Sequence, residues 1–115
     1  FIHSAIAQSD ICPNVFAKLG GVVMPINGFG FHKRDVPASS DEVVAATGRY
    51  HRKAIELFGP ERCMFESNFP VDAQSCGYGV LWNAFKKIAA DLGEDDRTWL
   101  FHRAAETAYR LAPIA

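Results

Sequence analysis

The chain has 115 residues, 49% of them hydrophobic and nine of them Phe, with a net charge of −1. That length holds one compact unit at most, and that apolar share excludes a disordered segment. A near-neutral balance provides no field to gather nucleic acid or an acidic membrane, so neither is expected as a partner. No apolar run approaches the ~20 residues of a membrane span, and no basic segment followed by an apolar block opens the chain. The protein reads as soluble and cytoplasmic. Its three cysteines, Cys12, Cys63 and Cys76, share no two-residue spacing, which argues against a disulfide framework or a zinc ribbon.

Taken in order, Ile2, Ala5, Ile6 and Ser9 recur at helical spacing, so residues 1–9 read as the last turns of an amphipathic helix. The chain has no initiator Met, and this opening implies a piece of something longer. Pro13 breaks the helix, and residues 15–19, Val-Phe-Ala-Lys-Leu, form a short strand ending at Gly20-Gly21. From Gly20 to Ser40 no periodicity lasts. Connections longer than about 12–15 residues are uncommon in compact domains and often cover a site, so residues 20–40 are expected to form a lid. The competing reading is a surface excursion with Phe29 and Phe31 packed on the rim.

Ser39 followed three residues later by Glu42 is a capping-box start. The helix behind it carries Val43, Thr47, Tyr50, Ala54 and Leu57 on one stripe and stops at Gly59-Pro60. A second strand covers residues 62–65, where Cys63, Met64 and Phe65 make an apolar run. Beyond it, Tyr78, Leu81, Trp82, Phe85, Ile88, Ala89 and Leu92 mark a helix ending at Gly93. Leu100, Ala104, Ala108 and Leu111 mark another, from Glu94 to Pro113.

Strand, helix and strand in this order make a right-handed crossover joining two parallel strands. A two-stranded parallel sheet cannot satisfy its own outer edges, so strands are missing from it. The expected class is therefore α/β, the C-terminal part of a (β/α)8 barrel with roughly its seventh and eighth strands, completed by other strands or by self-association.

The second strand ends abruptly in Glu66-Ser67-Asn68-Phe69-Pro70-Val71-Asp72. Two carboxylates, a hydroxyl and an amide thus follow a parallel strand at its carboxyl end, where α/β proteins place their chemistry. This stretch, with Phe58-Gly59-Pro60-Glu61-Arg62 before it and Leu81-Trp82 after it, resembles the eighth strand and loop of the amidohydrolase-2 family. Pro13-Asn14-Val15-Phe16-Ala17-Lys18-Leu19-Gly20-Gly21 resembles the family's seventh strand. The resemblance covers nearly the whole chain. It implies a barrel hydrolase acting on a small lactone, ester or amide, and a divalent metal such as Zn in the full-length protein.

The family's histidine ligands on earlier strands fall outside this chain. His3, His32, His51 and His102 are scattered without ligand spacing, so the metal ligands are unknown. His51 and His102 read as solvent-facing or core-edge residues on helices, whereas His32, in the long loop, is placed where a substrate could meet it. The family's usual Ser-Asp-Trp-Pro or Ser-Asp-Phe-Pro carries a catalytic Asp where this chain has Asn68. An amide can orient water or coordinate a cation but cannot serve as a general base near neutral pH. Glu66, two residues earlier and on the same side of the strand, is the first substitute base, and Asp72 is the second. Lys18 would balance an anionic substrate. The bland alternatives are an ion pair of Glu66 with Lys18 or Arg62, a capping role for Asp72, and a barrel that binds its ligand without turning it over.

Overall fold

The computed structural model describes residues 13–112; the helix expected over residues 1–9 and Cys12 lie outside the described residues. Strand β1 (Ala17–Leu19) pairs in parallel with β2 (Cys63–Phe65), with Ala17 opposite Cys63, Lys18 opposite Met64 and Leu19 opposite Phe65. Between them runs helix α1 (Ser40–Phe58), as a parallel crossover requires. After β2 come α2 (Tyr78–Ile88), α3 (Glu94–Thr98) and α4 (Ala104–Tyr109). Among the described residues the sheet has only these two strands, so each presents an outer edge with no ladder partner. No helix among these residues is long and apolar enough to cross a membrane.

The start of α1 follows from its sequence. Ser39 Oγ accepts from the Glu42 N–H at 3.2 Å, and Glu42 Oε1 accepts from the Ser39 N–H at 3.1 Å. Arg34 also pairs with Glu42, and together with the Ser39 bonds it pulls that carboxyl down to about 2. The stop is equally local. Gly59 takes φ 82°, a backbone conformation that costs glycine little, and its N–H closes on Ile55 O at 2.8 Å. Lys87 Nζ, 2.6 Å from Asp41 Oδ1, fastens α2 to the first turn of α1.

One face of the sheet is the core. Leu19, Cys63 and Phe65 point to the helices, where Phe65 stacks on Phe85 with centroids 4.5 Å apart, and Phe101 and Trp82 close the cluster. The buried side of α1 is Val43, Thr47, Gly48, His51, Ile55 and Phe58, which corrects the expected stripe. Steps of four keep positions 43, 47, 51 and 55 against the sheet. The step of three to Tyr50 turns instead toward the long loop, where Tyr50 meets Phe29 edge-on at 6.4 Å.

His51 is correspondingly no solvent-facing residue. It lies 3% exposed between Phe65 and Phe85. Its Nδ1–H donates to Thr47 O at 3.0 Å, which leaves Nε2 buried with no hydrogen-bond partner. Burial holds this imidazole below its usual range. The expected last helix also differs. It is broken by a π-helical turn over Trp99–Arg103 and ends at Arg110, whose φ is 55°, so Leu111 is exposed rather than on the core stripe. Leu100 and Ala104 are fully buried on either side of this turn.

The segment from Gly20 to Ser39 holds two 3-10 turns, Pro25–Asn27 and Phe31–Lys33. It is tied down at both ends. Asn27 Nδ2 donates to Gly21 O at 2.8 Å and to Val22 O at 2.9 Å, Ser75 Oγ donates to Val23 O, and the Ala38 N–H donates to Ser75 O.

Candidate active site

The polar ends of the two strands meet on the face of the sheet opposite Leu19 and Phe65. Side chains alternate along a strand, so Lys18, Met64 and Glu66 share this face while Leu19 and Phe65 take the other. The Glu66 N–H continues the ladder to Leu19 O at 3.4 Å, which holds Glu66 beside the end of β1. Its Oε2 lies 2.9 Å from Lys18 Nζ. This bond and the charge of Glu66 push the Lys18 ammonium above its ordinary value, with a smaller contribution from Tyr109. Both side chains are accessible, at 52% for Lys18 and 32% for Glu66. Such a pair contributes little to stability and remains open to exchange partners with an incoming anion.

Gly20 makes this pairing possible. A Cβ at Gly20 would sit 2.0 Å from Glu66 Cγ and 2.7 Å from Glu66 O, so any larger residue would drive Glu66 off its place. Its neighbour Gly21 has φ 74°, and a Cβ there would come within 3.3 Å of Asn68 Nδ2. The glycine pair is thus part of the site, although the sequence offered only a strand stop. Two consecutive glycines at the carboxyl end of a strand are the signal for such a close approach.

After Glu66 the chain turns sharply. Asn68 takes φ 53°, a left-handed conformation that asparagine tolerates better than most residues, and the Phe69–Pro70 peptide is cis. The Asp72 N–H returns to Asn68 O at 3.2 Å, which brings the two side chains together. Asn68 Nδ2 then donates to Asp72 Oδ1 at 3.1 Å. Asp72 is 1% exposed, and burial raises its carboxyl above the ordinary range against the opposing hydrogen bonds from Asn68 and the Gly21 backbone.

Four of the five residues singled out in the sequence, Lys18, Glu66, Asn68 and Asp72, thus gather as two linked pairs around the Gly20-Gly21 turn. His32 does not join them through any hydrogen bond or ion pair. It sits half-buried in the second 3-10 turn of the loop, its Nδ1 without a partner. His102 lies elsewhere, bonded through Nδ1 to Glu106 Oε1 at 2.5 Å. Arg62 is likewise engaged away from Glu66, donating to Phe58 O at 3.0 Å.

A metal centre needs several converging donors, and among the described residues no three His, Cys, Asp or Glu side chains converge in that way. Glu66 is engaged by Lys18, and Asp72 by Asn68. These residues do not by themselves fit a divalent cation, and the chemistry proposed below is routed through none.

A family model described as amidohydrolase matches residues 2–111. An uncharacterized protein of Sinorhizobium fredii (strain NBRC 101917 / NGR234), y4mH, is 48% identical over 62 residues, which are 54% of this chain and 21% of that protein. A crystal structure of an amidohydrolase from Burkholderia multivorans with bound Zn superposes with a TM-score of 0.72 at 26% identity, over 87% of this chain and 33% of that one. A crystal structure with bound HEPES, of an amidohydrolase from the same organism, gives a TM-score of 0.72 at 24% identity over the same shares. The chain therefore spans about a third or less of the length of these relatives. Its α/β fold is similar to that of amidohydrolase barrel proteins over that portion. The chain belongs to the amidohydrolase family.

Proposed function

We propose that the protein of which this chain forms a part is a hydrolase that adds water to a small anionic lactone, ester or amide, with a lactone preferred. In this reading β1 and β2 are the seventh and eighth strands of an eight-stranded barrel, and their carboxyl ends open on its mouth. The observation that carries it is the Lys18–Glu66 pair at 2.9 Å, at the carboxyl ends of the paired strands and two residues from Asn68.

Lys18 would take the substrate's carboxylate, exchanging it for Glu66. Glu66, released from its partner, would then accept the proton of the attacking water, the part Asn68 cannot play. Asn68 would hold that water or the leaving oxygen. The segment over residues 20–40 would serve as the cover of the site, with His32 as a substrate contact. The Zn carried by the Burkholderia multivorans structure supports a divalent metal in the whole protein, where its ligands would come from residues outside this chain.

The test is hydrolysis of a panel of small lactones by the full-length protein carrying Asn68→Ala. The rate should fall by orders of magnitude, and an unchanged kcat/KM would reject the role of Asn68.

A further inference from the structure

The amide of Asn68 has two unlike ends, and the structure uses only one of them. Its Nδ2 points inward, 3.1 Å from Asp72 Oδ1 and against the Gly21 backbone, where a Cβ would already crowd it at 3.3 Å. Its Oδ1 takes no hydrogen bond from the described residues, and the side chain is half-buried rather than enclosed. A donor held against one carboxyl oxygen suits the carboxylate form, which accepts only. Asp72 is itself 1% exposed, with Gly21, His51 and Phe85 around a gap too narrow to admit a water. A group so enclosed has no direct route to a substrate.

We infer that Asp72 is a positioning residue: it engages the NH2 end of Asn68 so that the carbonyl oxygen faces the ligand. Position 68 then accepts a hydrogen bond, from the attacking water or from a hydroxyl on the substrate. It does not donate one to a developing oxyanion. This rests on the hydrolase reading for its chemistry, but the geometry stands without it.

The experiment has a structural arm and a kinetic arm, both on the full-length protein. In the first, asparagine is labelled with 15N, and the Asn68 side-chain signals are identified by their loss in Asn68→Ala. One amide proton of wild-type Asn68 should be shifted downfield and slow to exchange, and the shift should collapse in Asp72→Ala. A wild-type pair with free-amide shifts overturns the inference, whether or not the protein turns over any substrate. Should Asp72→Ala fail to fold, the wild-type spectrum still decides.

In the second arm, hydrolysis of 5-oxotetrahydrofuran-2-carboxylate, a lactone bearing the carboxylate that Lys18 would take, is followed with a pH indicator. Asp72→Ala should lower kcat by roughly 10–100-fold, and Asp72→Asn, whose amide oxygen can still accept from Asn68, should recover most of it. The exchanged pair Asn68→Asp with Asp72→Asn keeps an acceptor facing the ligand and should exceed Asn68→Asp alone, in which two carboxylates meet. Equal losses in Asp72→Asn and Asp72→Ala would make Asp72 a base and overturn the inference. So would an exchanged pair reduced by the ~10²–10³-fold that loss of an oxyanion donor costs. Unchanged hydrolysis in Asn68→Ala would instead reject a part for Asn68 in the reaction, and absence of hydrolysis in the wild type would sink the hydrolase reading; either leaves the amide geometry to the spectrum.

Discussion

The two faces of one small sheet are built on opposite terms. Toward the helices, Leu19, Cys63 and Phe65 enter a core in which Phe85, Val43 and Leu100 are all but inaccessible. Toward the other side, Lys18 and Glu66 remain exposed enough to trade partners. The same three-residue strands serve both, because a period of two sends alternate residues to opposite sides. Rigidity is thus supplied from behind, by apolar packing, to polar groups that are not themselves held by burial. The polar face needs only local devices to shape it: two glycines, a left-handed asparagine and one buried carboxyl.

That contrast can be broken most strongly from the core side. Phe85→Ala removes the ring stacked on Phe65 and should cost about 3–5 kcal/mol in urea unfolding of the whole protein. A loss below 1 kcal/mol would mean that the aromatic cluster does not support the strands. On the polar face the largest effect belongs to Gly20→Ala, whose Cβ meets Glu66 Cγ at 2.0 Å. Overpacking of this kind costs roughly 1–3 kcal/mol, and activity should fall with it because the Lys18–Glu66 pair is displaced. A crystal structure of the variant with that pair intact would show that the backbone yields instead.

His51 offers a softer probe of the core face. Its folded-state pKa is lowered by burial, so as pH falls the unfolded chain takes up the proton first. Stability should therefore be full above the ordinary imidazole range, near 6.5, and decline as pH drops through it. Comparing unfolding midpoints at neutral pH and at a pH one to two units lower in wild type and His51→Phe should show the dependence shrinking in the variant. An identical slope in both would assign it to other groups. Away from both faces, Ser39→Ala removes the capping box of α1 and should cost about 1 kcal/mol. Lys18→Met should be the mildest of all for stability, leaving the unfolding midpoint unmoved while raising KM for an anionic substrate. A lowered midpoint would mean that the ion pair is structural.

The order of elements was legible because each rests on a local signal. The Ser39–Glu42 box, the Gly59-Pro60 stop and the apolar run from Cys63 to Phe65 all appear where the sequence places them. What was not legible depends on tertiary packing. The π-helical turn at Trp99 has no signature in residue type, since the apolar spacing around it is that of a regular helix. The burial of His51 was hidden by a stripe that ran equally well through Tyr50. At the site, position at the carboxyl ends of the strands and the family resemblance brought Lys18, Glu66, Asn68 and Asp72 into consideration, but their division into two pairs needed the turn geometry at Asn68. The closeness of Gly20 to Glu66 needed the register of the strands.

The most direct measurement is a crystal structure of the full-length protein soaked with the hydroxy dicarboxylate released from a small anionic lactone. The bound acid is expected with its carboxylate at Lys18 Nζ and a hydroxyl within hydrogen-bonding distance of Asn68 Oδ1, with Glu66 drawn away from Lys18. A structure in which packed residues cover Asn68, or in which the acid binds while Lys18 and Glu66 stay joined and untouched, would contradict the assignment of this face as the reactive one.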